Sequence, residues 1–288
     1  MNWIWLGIFS ALLLGVYDLF RKSALTGNAV LPVLWISSAS CAAPFVLLML
    51  LGRVPAADAH VHFLLAIKAV IVASSWVLEF FALKHLPISV AAPVRASQPF
   101  FTLIGAVTFF GERLSTGRWI GVVLTLVSYF FFSIAGKREG IGFSGNRWIA
   151  CAFGASLIGA CSSLYDKFLL NSRALDPLVV QSWYMLYIVG LLAVILMVLW
   201  WPQRKRSTKF QWRWSIPVIG LSLAASDAMY FHALRDPAAL IAMLTTIRRA
   251  NVVIAFGVGA MIFGETNVRP KALALAGIVA GLVLMTLA

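Results

Sequence analysis

Residues 109–121 read FFGERLSTGRWIG, and residues 262–274 read IFGETNVRPKALA. The triplet Phe-Gly-Glu at 110–112 therefore returns at 263–265, and the same spacing pairs Arg118 with Lys271. Further upstream, Tyr-Asp-Leu-Phe at 17–20 returns as Tyr-Asp-Lys-Phe at 165–168, and Ala-Leu-Lys at 82–84 returns as Ala-Leu-Arg at 233–235. Three matches in the same order indicate that the chain consists of two related halves.

The composition places nearly the whole chain in a lipid bilayer. Of its 288 residues, 61% are hydrophobic and 11% are charged, whereas a soluble domain carries roughly a quarter charged residues. Apolar runs of about 20 residues, the length needed to cross a bilayer as a helix, recur with short polar breaks. The sequence therefore predicts an all-α integral membrane protein of ten transmembrane helices, in residues 3–20, 30–51, 61–83, 88–110, 119–135, 148–170, 177–201, 214–234, 238–263 and 272–287.

The two halves are predicted to lie in opposite orientations. Each half holds five predicted helices, and an odd number means that the second half enters the membrane from the other side, as an inverted repeat. We expect a first five-helix repeat in residues 1–136, a polar linker in residues 137–147 and a second repeat in residues 148–288. Gly117, Gly121, Gly277 and Gly281 have the four-residue spacing that allows close contact between membrane helices.

Several function classes are not expected. The net charge of +13 comes mostly from loop residues rather than one exposed face, which argues against nucleic-acid binding. The three cysteines lie inside apolar runs without metal-ligand spacing, and the chain has no Gly-rich phosphate loop. It also lacks a cluster of histidines and carboxylates or a nucleophile motif. We therefore predict no catalytic residue, no metal and no cofactor, and hence no enzyme.

Charged side chains inside the apolar runs are the candidate functional residues, because an ionised group at the bilayer centre costs at least ~2.5 kcal/mol. Arg95 and Arg248 follow Pro87 and Pro237 by distances that place them roughly 12 and 16 Å into a ~30 Å hydrocarbon layer. Helical spacing puts Gln98 on the face of Arg95. It also puts Thr245 and Asn251 on the face of Arg248, whereas Arg249 points about 100° away.

Glu79 and Asp227 are the candidate counter-charges, for Arg95 and Arg248 respectively, and Tyr230 shares a stripe with Asp227. Guanidinium groups would bind a carboxylate or phosphate, while the carboxylates would bind an amine or exchange a proton. The alternative is that these groups only form ion pairs that join helices. The predicted substrate-binding residues are Glu79, Arg95, Gln98, Asp227, Tyr230, Arg248 and Asn251.

Two further groups of residues occupy matching places in the halves. Tyr17 and Asp18 lie near the end of the first apolar run, and Tyr165 and Asp166 lie near the end of the sixth. These four residues are predicted to act at a gate or at a helix end. Glu112 and Glu265 end apolar runs and are interpreted as folding or packing residues outside the binding site.

The repeated motifs resemble those of EamA-type transporters of the drug/metabolite transporter superfamily. The resemblance rests on the Ala-Leu-Lys and Gly-Glu-Arg motifs at 82–84 and 111–113 with Gly121, and on the Ala-Leu-Arg and Gly-Glu motifs at 233–235 and 264–265 with Gly277. It implies a ten-helix basket whose cavity is lined by the first, third and fourth helices of each half. It further implies transport of a small metabolite, an integral multi-pass location, taken as the bacterial inner membrane, and cytoplasmic termini.

Three questions stay open at this point. Counting loop Lys and Arg gives thirteen on one side, Arg21 among them, and six on the other, which predicts external termini, opposite to the resemblance. Proton coupling fits the titratable carboxylates, and the oligomeric state has no signal. The leading prediction is a secondary transporter of a small anionic or zwitterionic metabolite working by alternating access. The alternatives are a flippase for a lipid-linked anion and a membrane subunit that does not transport.

Overall fold

The computed structural model of the protein describes residues 3–86, 94, 97–136, 147–251 and 268–287. Ten α-helices and no β-strand lie within these ranges. Short π-helical turns, Phe168–Ser172 and Leu196–Trp200, extend the sixth and seventh helices. The helices are α1 (Trp3–Leu25), α2 (Val30–Leu50), α3 (Ala59–His85), α4 (Gln98–Phe110), α5 (Thr116–Gly136), α6 (Arg147–Lys167), α7 (Pro177–Ile195), α8 (Ser215–Leu234), α9 (Ile241–Arg248) and α10 (Val268–Leu287).

Each predicted apolar run overlaps one of these helices, and the predicted all-α class is confirmed for the described residues. The ninth run differs, because a continuous helix was predicted over residues 238–263 and α9 ends at Arg248. The amides of Arg249 and Ala250 bond three residues back, to Thr246 and Ile247, and these shorter bonds close the helix in a tight turn. The second Phe-Gly-Glu triplet, at 263–265, lies outside the described residues.

Local side-chain chemistry explains where three of the helices begin or end. Asp58 caps α3, because its carboxylate accepts a hydrogen bond from the amide of Val61 at 2.7 Å. Asp176 caps α7 in the same way and is followed by Pro177 at the first helical position. Gly111 ends α4 with a positive φ of 61°, a conformation that favours glycine. This ending places Glu112 directly behind the helix.

The helices have the length and surface of membrane spans. In the described part of the chain, five helical segments are long and apolar enough to cross a bilayer unaided, and large apolar side chains such as Phe109, Phe130 and Met197 are exposed on the helix surfaces. Contiguous exposed apolar surface of this kind suits lipid rather than water. The protein is therefore an integral, multi-pass membrane protein. The five segments are Trp3–Leu25, Val30–Leu50, Ala59–His85, Arg147–Ser172 and Pro177–Gln203.

Contacts between the two halves are reciprocal. Helix α1 packs along α8, and α3 packs along α6, so the first and third helices of each half exchange partners. Likewise α2 contacts α8 while α7 contacts α3, and α1 contacts α9 while α6 contacts α4. Helices α5 and α10 form the most extensive pair. If each helix is replaced by its counterpart five positions away in the other half, every one of these contacts becomes another contact of the same set. The α5–α10 contact becomes itself.

The pair α5 and α10 approaches closely enough that glycine is required at the crossing. A Cβ atom on Gly121 would lie 2.7 Å from the carbonyl oxygen of Gly281 and 2.9 Å from the amide nitrogen of Met285. A Cβ on Gly281 would lie 2.7 Å from the carbonyl oxygen of Gly121. These separations are too short for carbon, and the neighbours are backbone atoms that cannot rotate away. The helix contact predicted from the glycine spacing is therefore present between Gly121 and Gly281.

Replacing Gly121 by alanine is expected to destabilise the protein by about 1–3 kcal/mol, because the added methyl group forces α5 and α10 apart. Gly190 in α7 is the matched control, since a Cβ there meets nothing within 4 Å. Gly190→Ala should be neutral or slightly stabilising, because alanine favours helix. Thermal unfolding in detergent measures both variants. Equal unfolding temperatures would contradict the close crossing.

Candidate functional site

A polar cavity of about 150 Å³ lies between the two halves. Its walls come from α1, α3 and α4 of the first half and from α6, α8 and α9 of the second, with Tyr184 added from α7. These are the first, third and fourth helices of each half, which are the helices expected to line it. The charged and amide side chains in the described part of the lining are Arg21, Lys68, Glu79, Gln98, Asp166, Asp227, Arg248 and Arg249.

Arg21 organises the first-half side of the cavity. Its guanidinium donates hydrogen bonds to the hydroxyl of Tyr17 at 2.9 Å, to Asp18 at 3.0 Å and to Glu79 at 3.2 Å. The side chain is only 3% exposed and lies 5.3 Å from the ring centre of Phe80. The prediction that Arg21 is a loop cation was therefore wrong. The helix runs on to Leu25, beyond the apolar run that ended at residue 20, and this carries Arg21 into the interior.

Asp18 joins the two halves through its second carboxylate oxygen. The side-chain amide of Asn251 donates a hydrogen bond to that oxygen at 2.5 Å, and Asn251 is buried. Asp18 thus lies between Arg21 of its own helix and a residue just beyond α9. The structure therefore brings together a predicted gate residue and a predicted binding residue. Arg95, predicted as the partner of Glu79, lies outside the described residues.

A buried lysine of the first half is enclosed by the second half. Lys68, on α3, forms an ion pair with Asp166 of α6, and the two side chains are 2% and 7% exposed. The lysine ammonium also lies 4.4 Å from the ring centre of Tyr184 and 5.2 Å from that of Phe231. Asp166 was predicted at a gate or helix end. It lines the cavity, because the π-helical turn carries the helical segment on to Ser172.

The matching tyrosine, Tyr165, is directed away from this pair. Its hydroxyl donates a hydrogen bond to the backbone carbonyl of Leu64 at 3.1 Å. This bond ties α6 to α3 beside the Lys68 pair. A gate role for Tyr17, Asp18, Tyr165 and Asp166 stays a prediction.

The predicted contact between Asp227 and Arg248 is present. Arg248 donates to Asp227 at 2.7 Å and to the hydroxyl of Ser226 at 3.3 Å. Its guanidinium carbon lies 4.2 Å from the ring centre of Tyr230, a cation–π geometry. The other oxygen of Asp227 accepts from Tyr184 at 3.4 Å. Asp227, Tyr230 and Arg248 therefore form one cluster on the second-half wall.

Arg249 and Gln98 connect α4 to the end of α9. The guanidinium of Arg249 donates to the side-chain oxygen of Gln98, which packs against Gly159 of α6. Arg248 and Arg249 both line the cavity, although helical geometry predicted that they would diverge. The turn that ends α9 at Arg248 takes Arg249 out of the helical phase. The long, flexible side chains of Arg248 and Arg249 can then reach the same part of the cavity.

Sequence reasoning missed Arg21, Lys68, Tyr184 and Phe231 as cavity residues. Lys68 lies on the same helix stripe as Ser75 and Glu79, which was the one available signal. Within the described lining, four basic side chains face three acidic ones, and three cation–carboxylate pairs result. Such a cavity can bind an anion through its guanidinium groups. It can also bind a zwitterion by exchanging partners with an existing pair.

Comparisons with known proteins agree with this architecture. Residues 1–134 match the model of the EamA-like transporter family. A protein solved by crystallography superposes with a TM-score of 0.76 at 18% sequence identity, covering 99% of this chain and 98% of its own. It is one of 29 chains of solved structures that match. At this identity the likeness concerns the fold. No curated protein matches the sequence.

Proposed function

We propose that the protein is a secondary transporter of a small anionic or zwitterionic metabolite, because residues 1–134 match the model of the EamA-like transporter family. The observation that carries this proposal is the polar cavity between the halves, where three cation–carboxylate pairs lie inside a largely apolar protein. Burying charges costs free energy even when they are paired, and charged residues inside membrane segments commonly mark functional sites. A multi-pass place in the bacterial inner membrane is part of the same proposal.

Alternating access between two inverted repeats is the proposed mechanism. The reciprocal helix contacts support it, because a set of contacts that maps onto itself under a five-helix shift is what two equivalent halves produce. In this scheme the ten helices span the membrane, with repeats in residues 1–136 and 148–288. The halves then rock about the cavity and expose it to each side in turn.

The substrate chemistry follows from the lining. Arg248 is held in place by Asp227 and by the ring of Tyr230, so its guanidinium is positioned before any ligand arrives. A planar guanidinium suits a carboxylate or phosphate, and pre-positioning lowers the entropy lost on binding. Arg249 supplies a second positive charge next to it and donates a hydrogen bond to Gln98. The anionic group of the substrate is therefore placed near these two arginines.

Uptake into liposomes tests the proposal. The purified protein is reconstituted and screened against amino acids, organic anions and phosphorylated metabolites, beside Arg248→Ala and Arg235→Ala. Arg235 is the matched control, since it ends α8 in an exposed pair with Asp176 and is 59% exposed. We expect saturable uptake that falls about tenfold or more in Arg248→Ala, equivalent to about 1.4 kcal/mol, and that is unchanged in Arg235→Ala.

Two results would count against the proposal in different ways. If the reconstituted parent protein shows no saturable uptake of any class, the transport function fails. If uptake is saturable but equal in the parent and in Arg248→Ala, transport stands and the anion site must lie elsewhere. Thermal unfolding of each variant, with and without the transported compound, separates loss of binding from loss of folding.

A further inference from the structure

The ammonium group of Lys68 contacts three residues of the other half of the protein, which form a cage around it. Asp166 of α6 supplies a carboxylate, while Tyr184 of α7 and Phe231 of α8 present their rings at 4.4 and 5.2 Å. The lysine is 2% exposed, and all four residues line the polar cavity. One carboxylate and two aromatic faces are the groups that recognise a compact primary ammonium ion.

The occupant of this cage is attached to a flexible arm. Lysine carries its charge on four methylene groups, so the ammonium can withdraw without movement of α3. Arg21 differs, because its planar guanidinium is fixed by Tyr17, Asp18 and Glu79 at once. A free ammonium group can therefore replace Lys68 more readily than it can replace Arg21.

We propose that Asp166, Tyr184 and Phe231 form an ammonium subsite, which Lys68 fills until the ammonium of a substrate displaces it. The displaced lysine then joins Arg248 and Arg249 of the same cavity lining in binding the anionic group of that substrate. This inference rests on the proposed function, since it names how that cavity binds its substrate.

Partner exchange of this kind selects zwitterions. A zwitterion inserted between Lys68 and Asp166 gives each of them a new partner, so no buried charge is left uncompensated. A simple amine would displace Lys68 and leave it unpaired, and a simple carboxylate would leave Asp166 unpaired. Each of these outcomes carries the penalty of an uncompensated buried charge. The Lys68–Asp166 pair therefore favours zwitterions over simple amines and simple carboxylates, independently of contacts with the rest of the substrate.

Binding of propylammonium tests whether the cage accepts a free ammonium ion. Lys68→Ala removes the tethered occupant and leaves space for this ion. We expect it to stabilise Lys68→Ala thermally at a concentration about tenfold or more lower than any effect on the parent. Sodium propionate at the same ionic strength should have no such effect. Lys84→Ala is the matched control, because Lys84 lies on the same helix and contacts Thr208 at the exposed surface.

The double variant Lys68→Ala/Asp166→Asn keeps the test decisive if the single variant folds poorly. It lacks both charges, so it should fold without propylammonium and should not respond to it. If Lys68→Ala needs propylammonium to stay folded, that requirement supports the subsite. The proposal is overturned if propylammonium stabilises Lys68→Ala no more than Lys84→Ala, or if the double variant responds equally.

Competition during uptake tests the partner exchange itself. In liposomes, the ratio of inhibition by alanine to inhibition by propylammonium should fall about tenfold or more from the parent to Lys68→Ala, because the anionic group has lost its partner. An unchanged ratio in a parent that transports would overturn the exchange and leave the transport function standing. Absence of any parent uptake would remove the transport function, while the propylammonium experiment would still decide the subsite.

Discussion

Replacing Glu112 by alanine is expected to lower the free energy of unfolding by about 3–5 kcal/mol, the cost of breaking a buried ion pair. The Glu112 carboxylate is 2% exposed and pairs with Lys167 of α6. It also accepts hydrogen bonds from the amides of Ile241 at 2.7 Å and Ala242 at 3.3 Å, at the start of α9. Alanine would leave a partly buried lysine and two buried amides without this acceptor. Unfolding in detergent with increasing denaturant measures the change.

Asp176→Ala is the control for the capping part of this effect. Asp176 caps α7 through the amide of Leu178, but its carboxylate is 41% exposed and its partner Arg235 lies at the surface. Loss of an exposed cap costs about 1 kcal/mol. The pair of variants Glu112→Gln and Glu112→Gln/Lys167→Met separates charge from capping, and the double variant should recover part of the loss. Similar losses for Glu112→Ala and Asp176→Ala would show that burial of Glu112 contributes nothing.

Arg21→Met is expected to destabilise the protein by about 3 kcal/mol or more and to abolish saturable uptake, since it removes a buried cation shared by two carboxylates. Glu79 and Asp18 have side chains that are 17% and 15% exposed, and both would lose their contact with the guanidinium. The resulting excess of negative charge faces the polar cavity, where the substrate anion is proposed to bind. Thermal unfolding and liposome uptake measure the two effects.

Lys22→Met provides the adjacent control, because residue 22 is exposed on the same helix. A surface substitution there should change stability by no more than about 0.5 kcal/mol. Arg21→Lys tests geometry rather than charge. A lysine retains the positive charge but not the planar fork, so it should recover part of the stability and little of the uptake. Full activity of Arg21→Met would show that the Arg21 network only joins helices.

Much of the fold was predictable because hydrophobic run length is a local property. Each apolar run overlaps a helix, and Gly111 marks the end of α4 through its positive φ. The end of α9 was not predictable in this way. No proline or glycine stands at Arg249 or Ala250, and the turn there depends on backbone bonds formed in the folded protein. Hydrophobic patterns therefore predict that a helix is present better than they predict the residue at which a backbone turn ends it.

Contacts within the site were predictable only where helix periodicity and repeat matching identify both residues of the contact. Asp227 and Arg248 were placed together by those arguments, and they are in contact. Lys68 and Asp166 are separated by 98 residues, and nothing in one sequence gives the vertical register between α3 and α6. Arg21 was misassigned for a simpler reason, since the apolar run ended one residue before it and the helix did not. Buried cations at the edges of apolar runs are therefore easily mistaken for loop charges.

Because α1 packs against α8 of the second half, its packing cannot be completed until α8 has been synthesised. Ser10 of α1 hydrogen-bonds to Ser226 of α8, across 216 residues of sequence. At ordinary translation rates the ribosome needs roughly 10 to 40 s to synthesise that interval. During this time Ser10 of α1 lacks its partner on α8. The first half is therefore synthesised well before α1 can complete its packing along α8.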